Sequence, residues 1–89
     1  MKRDAQPDLS PRTNPGLMAR RHAAIARGVG HVHERFIARG ENAEVWDVEG
    51  QRYIDFAGGI AVLNTGHRHP RLVEAVKAQL EQYTHTCFQ

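Results

Sequence analysis

Eighty-nine residues, 40% apolar and 25% charged, describe at most one small domain, near the lower limit for burying a core. The formal net charge of +2, with no basic face interleaved with aromatics, argues against a nucleic-acid binder. Cys87 is the single cysteine, which excludes an internal disulfide, and no apolar run approaches the roughly 18 residues of a membrane span. The early residues lack the apolar region of a secretory signal, and with their aspartates and prolines they make a poor transit peptide. The sequence reads as cytoplasmic, with no membrane partner.

Residues 1–14 hold Pro7 and Pro11 among mostly polar neighbours and are expected to form a flexible tail. The remaining residues, 15–89, are expected to form an α+β unit that is incomplete by itself. Asn14-Pro15 looks like a helix start, with Asn14 as N-cap and Pro15 in the first turn, and Gly28 is the natural stop. Its apolar stripe (Leu17, Ala24 and Ile25, with Arg21) is thin, so the helix needs a partner surface. An extended linker leads to a short strand over 35–39 and a turn at 40–42.

Residues 44–48 and 52–56 form the clearest strands. Period-two alternation sets Trp46, Val48, Ile54 and Phe56 on one face, and Asp47, Tyr53 and Asp55 on the other. Glu49-Gly50 supplies the positive φ that a tight hairpin needs. Gly58, Gly59 and the turn-prone Asn64-Thr65-Gly66 then bracket the apolar run Ile60-Ala-Val-Leu63. His69-Pro70 opens a second helix with Leu72, Val73, Val76, Leu80 and Tyr83 on one face. Arg71, Glu74, Lys77 and Glu81 lie mostly on the other, where Glu74 and Glu81 can pair with Lys77.

Four constellations invite chemistry. The pairs His31/His33 and His67/His69 offer imidazoles two apart, as a zinc site would, but no spacing enforces four converging ligands. The plainer expectation is that His67 and His69 serve the turn and the helix start. Cys87 near His85 could be a nucleophile and its base, yet nothing orients the pair, and a buried thiol acting as a small apolar residue is favoured. The region around Asn64-Thr-Gly66 lacks the phosphate-loop pattern, since His67 stands where a lysine is required. Asp47 and Asp55 could be a carboxylate pair but read as surface charges, while Trp46 and Phe56 read as core.

The run Val45-Trp-Asp-Val-Glu-Gly-Gln-Arg-Tyr-Ile-Asp-Phe-Ala-Gly-Gly-Ile-Ala-Val-Leu-Asn-Thr-Gly-His-Arg-His-Pro70 resembles the N-terminal region of class III aminotransferases. Arg27-Gly-Val-Gly30 and Thr84-His-Thr-Cys-Phe-Gln89 point further, to the branch acting on 4-aminobutyrate and 5-aminovalerate. The resemblance implies the N-terminal part of a fold-type-I transferase, a homodimer that uses pyridoxal phosphate. Such an enzyme passes an amino group from a small ω-amino acid to 2-oxoglutarate. It also implies that Gly59, Ile60 and Gln89 border the substrate pocket.

The lysine that the cofactor needs, its acidic partner and its phosphate cup come later in the family's chain. Lys2 and Lys77 are the only lysines here, and neither is placed to be a low-pKa amine. No catalytic, cofactor or metal residue is therefore assigned, and the 89 residues are expected neither to hold the cofactor nor to transaminate alone. They would complement the rest of an aminotransferase or a second subunit. The alternative is a non-catalytic module that binds a full-length aminotransferase through the retained interface.

Overall fold

A computed structural model of the chain describes residues 10–89; residues 1–9, most of the stretch expected to be a tail, lie outside the described residues. Helix α1 (Asn14–Ala24) is capped by Thr13, whose side-chain oxygen accepts from the Gly16 N–H at 3.1 Å. The expectation of Asn14 as N-cap is corrected: Asn14 is the first helical residue, because its side chain is engaged elsewhere. Its amide nitrogen donates to Asp47 Oδ2 (3.1 Å) and Glu49 Oε2 (2.6 Å), and its oxygen accepts from the Phe36 N–H (2.7 Å). The helix also ends earlier than Gly28, at an extended Ile25. The Arg21 guanidinium then donates to the carbonyls of Val29 and Gly30 and draws the following segment back.

Three antiparallel strands follow in the order β1-β2-β3: β1 (Ile37–Glu41), β2 (Glu44–Asp47) and β3 (Arg52–Ile54). β1 begins two residues later than expected, since the Phe36 N–H is held by Asn14. The hairpin forms as the alternation predicts, with Val45 opposite Tyr53, Trp46 opposite Arg52, and Gly50 at φ 84°.

The face that is covered is the opposite of the one expected. Asn14 and Asp47 are each 3% exposed, and Met18 and Val45 are the buried apolar side chains among the described residues. A carboxylate tolerates burial when donors surround it. Asp47 Oδ1 accepts from the N–H groups of Glu49 and Gln51, and Oδ2 from Asn14 and the Tyr53 hydroxyl. The surface reading of Asp47 is corrected accordingly. Trp46 is only half-buried, with the Arg39 guanidinium 3.6 Å from its ring centroid. Phe56, expected in the core, lies beyond the end of β3 and is 95% exposed.

Beyond the sheet come α2 (Gly58–Ala61), a single turn, and α3 (Pro70–Leu80). α3 buries none of its residues, and Leu72, Val76 and Leu80 stand open. Lys77 pairs with Glu74 at 3.4 Å on its polar side. The accessible surface is 8238 Å², against about 5,200 Å² for a compact monomer of this mass. Among the described residues, the sheet's Trp46 face and the α3 stripe therefore have no covering layer.

Candidate functional site

The site grows from the end of β3. The Asp55 N–H donates to the Ala43 carbonyl at 2.7 Å, which ties the residue to the β1–β2 turn. Its two carboxylate oxygens then take different partners. Oδ1 accepts from the Gly58 N–H at 2.9 Å, and Oδ2 lies 2.6 Å from His67 Nε2. Those bonds, His67's first and Gly58's second, outweigh burial and hold the Asp55 carboxyl below the usual aspartate range. An ionised carboxylate only accepts, so Nε2 carries the proton and donates. Asp55 is thus a half-buried partner of His67 and not a free surface charge.

His67 is fixed by backbone as well as by side chain. It exchanges both hydrogen bonds with Asn42, at 3.0 and 2.8 Å. Two glycines make that approach possible. A Cβ on Gly66, where φ is 76°, would lie 2.8 Å from the Asn42 carbonyl oxygen, and one on Gly40 would lie 2.8 Å from the His67 ring. His69 Nδ1 accepts from the Arg71 N–H and caps α3. The two histidines thus occupy the turn and the helix start, as the plainer reading expected.

Between Asp55 and His67 the chain makes a turn of unusual hand. Gly58, Gly59, Ile60 and Ala61 all have positive φ (51°, 64°, 66° and 59°). Bonds from Ala61 N–H to the Ala57 carbonyl and from Val62 N–H to the Gly58 carbonyl close it. The glycines adopt this conformation freely. Ile60 and Ala61 do not: each costs about 1–2 kcal/mol there. Strain of this kind persists only when the surroundings over-determine it.

The turn stands beside a cleft of about 720 Å³ whose walls include Ile37, Val45, Tyr53, Phe56, Asp55 and His67. Of the residues the resemblance implied for the pocket, Gly59 lines this cleft. Ile60 is 87% exposed on the turn. Gln89 accepts from the Cys87 thiol at 2.9 Å at the far end of the chain, where Cys87 is exposed and not buried as expected, because no element packs over this segment among the described residues. Asp47 and Asp55 do not form a joint carboxylate site, because one serves the hairpin and α1 and the other serves His67. Among the described residues no group of three or more His, Cys, Asp or Glu side chains could hold a metal ion.

The sequence reading missed the Asp55–His67 pair and the Asn14–Asp47 tie. Glycines flank the first pair, at Gly58 and Gly66, which was a usable signal; the second joins residues 33 positions apart and left none.

The described residues do not fit pyridoxal phosphate. That cofactor requires a desolvated amine, and Lys77 is exposed beside Glu74 on α3, while the cleft is lined by no lysine. What this region offers is a cleft with apolar walls from Ile37, Val45, Ile54 and Phe56, into which Gly59 of the strained turn and the Asp55–His67 pair also face, while Ile60 stands exposed on the turn outside its lining.

The family model for class-III aminotransferases matches residues 24–89. The chain is 64% identical over 77 residues to the 4-aminobutyrate aminotransferase GabT of Escherichia coli, covering 86% of this chain and 18% of the relative. It is 60% identical over 78 residues to the 5-aminovalerate aminotransferase DavT of Pseudomonas aeruginosa, covering 88% and 18%. Among solved structures it superposes on the ornithine aminotransferase of Toxoplasma gondii, crystallised in the presence of oxidised glutathione and showing partial occupancy of pyridoxal phosphate at its active site. The TM-score there is 0.79 at 32% identity, over 90% of this chain and 18% of that one. The acetylornithine aminotransferase of Elizabethkingia anophelis gives a TM-score of 0.78 at 32% identity, over 84% and 18%. The chain therefore spans about a fifth of the length of the relatives it matches. Its matched residues, its α+β arrangement and these likenesses agree: the chain belongs to the class-III aminotransferase family.

Proposed function

We propose that these residues form one wall of the substrate pocket in a pyridoxal-phosphate-dependent aminotransferase. The enzyme would move the amino group of 4-aminobutyrate to 2-oxoglutarate, giving succinate semialdehyde and glutamate. The observation that carries the reading is the 64% identity to a 4-aminobutyrate aminotransferase, which spans 86% of the chain. 5-Aminovalerate, one methylene longer, is the second amine donor to consider, given the 60% identity to an enzyme named for it.

In this reading Gly59 lets the backbone approach the substrate, Ile60 packs against its methylene chain, and Gln89 borders the same pocket. The uncovered faces of the sheet and α3 dock on the rest of the enzyme or on a second subunit. Among the described residues no amine lines the cleft, and the 89 residues alone do not transaminate.

The test is a hybrid in which residues 13–89 replace the matching segment of the E. coli enzyme. Transamination of 4-aminobutyrate by the hybrid, with none from the 89-residue chain supplied with the cofactor, is the expected result. A soluble, cofactor-loaded hybrid without activity would refute the reading. Should the short chain instead bind the intact E. coli enzyme and lower its activity, the non-catalytic interaction reading would replace it.

A further inference from the structure

The strained turn is enclosed by a clasp. Asp55 stands before it and His67 after it, twelve positions apart, and both are anchored to the same β1–β2 turn. Asp55 is held by the Ala43 carbonyl and His67 by both backbone groups of Asn42. One Asp55 oxygen takes the N–H of the turn's first residue, and the other takes the His67 ring. Every atom of that carboxylate used in these bonds therefore sets either the start of the turn or the return of the chain behind it.

Ile60 is the large side chain carried at the strained positions, and it points at no core of its own, being 87% exposed. A β-branched residue abandons positive φ when it is free to do so, and this one is not free.

We propose that Asp55 and His67 are positioning residues that hold the Gly58–Ala61 turn in its left-handed form, so that Ile60 stands at a fixed distance from a short ω-amino acid and selects its length. The inference rests on the proposed reading of Ile60 as pocket wall. Neither Asp55 nor His67 touches substrate in this scheme; both act through the turn. Two donors meet two acceptors in the clasp, so His67→Gln keeps an N–H donor available to Asp55, while His67→Ala removes it. Asp55→Asn leaves one acceptor oxygen for two N–H donors, those of Gly58 and His67, and so weakens the clasp from the other side.

The hybrid enzyme separates the possibilities. In it, His67→Ala and Asp55→Asn should raise the KM for 4-aminobutyrate about tenfold, within the hundredfold that a misplacement of 1 Å can cost. kcat should change less, as expected when binding of the substrate chain is what suffers. The ratio of kcat/KM between 4-aminobutyrate and 5-aminovalerate should move toward one, and His67→Gln should restore part of it. A role confined to stability would lower the yield of folded enzyme but leave both the KM and that ratio at parental values, which would overturn the clasp.

Ile60→Ala leaves the clasp intact and should flatten the same ratio. If it does not, the inference falls even where the Asp55 and His67 variants fail to fold. Inactivity of the unaltered, cofactor-loaded hybrid refutes the pocket-wall reading itself, and is thereby distinct from failure of the clasp.

Discussion

Replacing Asn14 by alanine should release α1 from the sheet. The side chain is 3% exposed and makes three hydrogen bonds, one to the Phe36 N–H and two to the carboxylates of Asp47 and Glu49. Glu49 is exposed, so its bond counts for little in water. The remaining loss is the charge-assisted bond to the buried Asp47 carboxylate plus a half-buried Phe36 amide left without its acceptor, together about 3 kcal/mol. At 1.4 kcal/mol per factor of ten, this is about a hundredfold in the local opening equilibrium.

Hydrogen exchange on the 89-residue chain reads it best at the Val48 amide. That amide donates to the Phe36 carbonyl at 2.9 Å and makes no bond to Asn14, so its protection reports the docked segment and not the deleted group. Val48 should exchange about a hundredfold faster in Asn14→Ala. Asn14→Asp should do at least as much at neutral pH, since it sets a third carboxylate against Asp47 and Glu49, and should recover in acid. Unchanged exchange at Val48 would refute the assignment of Asn14 as the tie, and no protection there in the parent chain would refute the docking itself.

Other outcomes follow from the same geometry. Gly66→Ala places a methyl 2.8 Å from the Asn42 carbonyl oxygen at φ 76°, and should cost about 2 kcal/mol or more in urea unfolding. Ile60→Gly should stabilise the chain by about 1 kcal/mol, because it relieves a positive φ at an exposed position. The hybrid enzyme carrying it should nevertheless lose discrimination by substrate length. Asp47 and Asp55 both sit below the usual aspartate value. Burial pushes Asp47 up but is outweighed by the Gln51, Asn14, Glu49 and Tyr53 donors, and Asp55 is held by His67 and Gly58. Their stabilisation is complete above the unfolded value of about 3.9 and is lost as pH falls through the lower folded values. Urea midpoints should therefore fall steeply below about pH 4, and less steeply in Asp55→Asn; a flat profile would contradict both bonding sets.

Much of the fold was legible because it follows from local chemistry. Alternation from Val45 to Ile54 gives the hairpin, Gly50 its turn, and His69-Pro70 the start of α3, each decided by a few neighbouring residues. The buried face was not legible. Hydropathy favours Trp46, Ile54 and Phe56, whereas the structure covers Asp47, and only the four donors that meet its carboxylate make that arrangement tolerable. One of those donors, Asn14, comes from 33 residues away, beyond the reach of any periodic pattern.

The site divides along the same line. Resemblance supplied Ile60, and the glycines announced a bend, but nothing local predicts Ile60 and Ala61 in a left-handed turn, since L side chains oppose it. The conformation is imposed by Asp55 and His67 from outside the turn. A conflict between local preference and observed backbone, resolved by a specific long-range pair, is the pattern expected where a chain gives up stability to place one side chain. On this view the cost carried by Ile60 and the existence of the clasp are one fact. Remove either, and the other has no reason to be there.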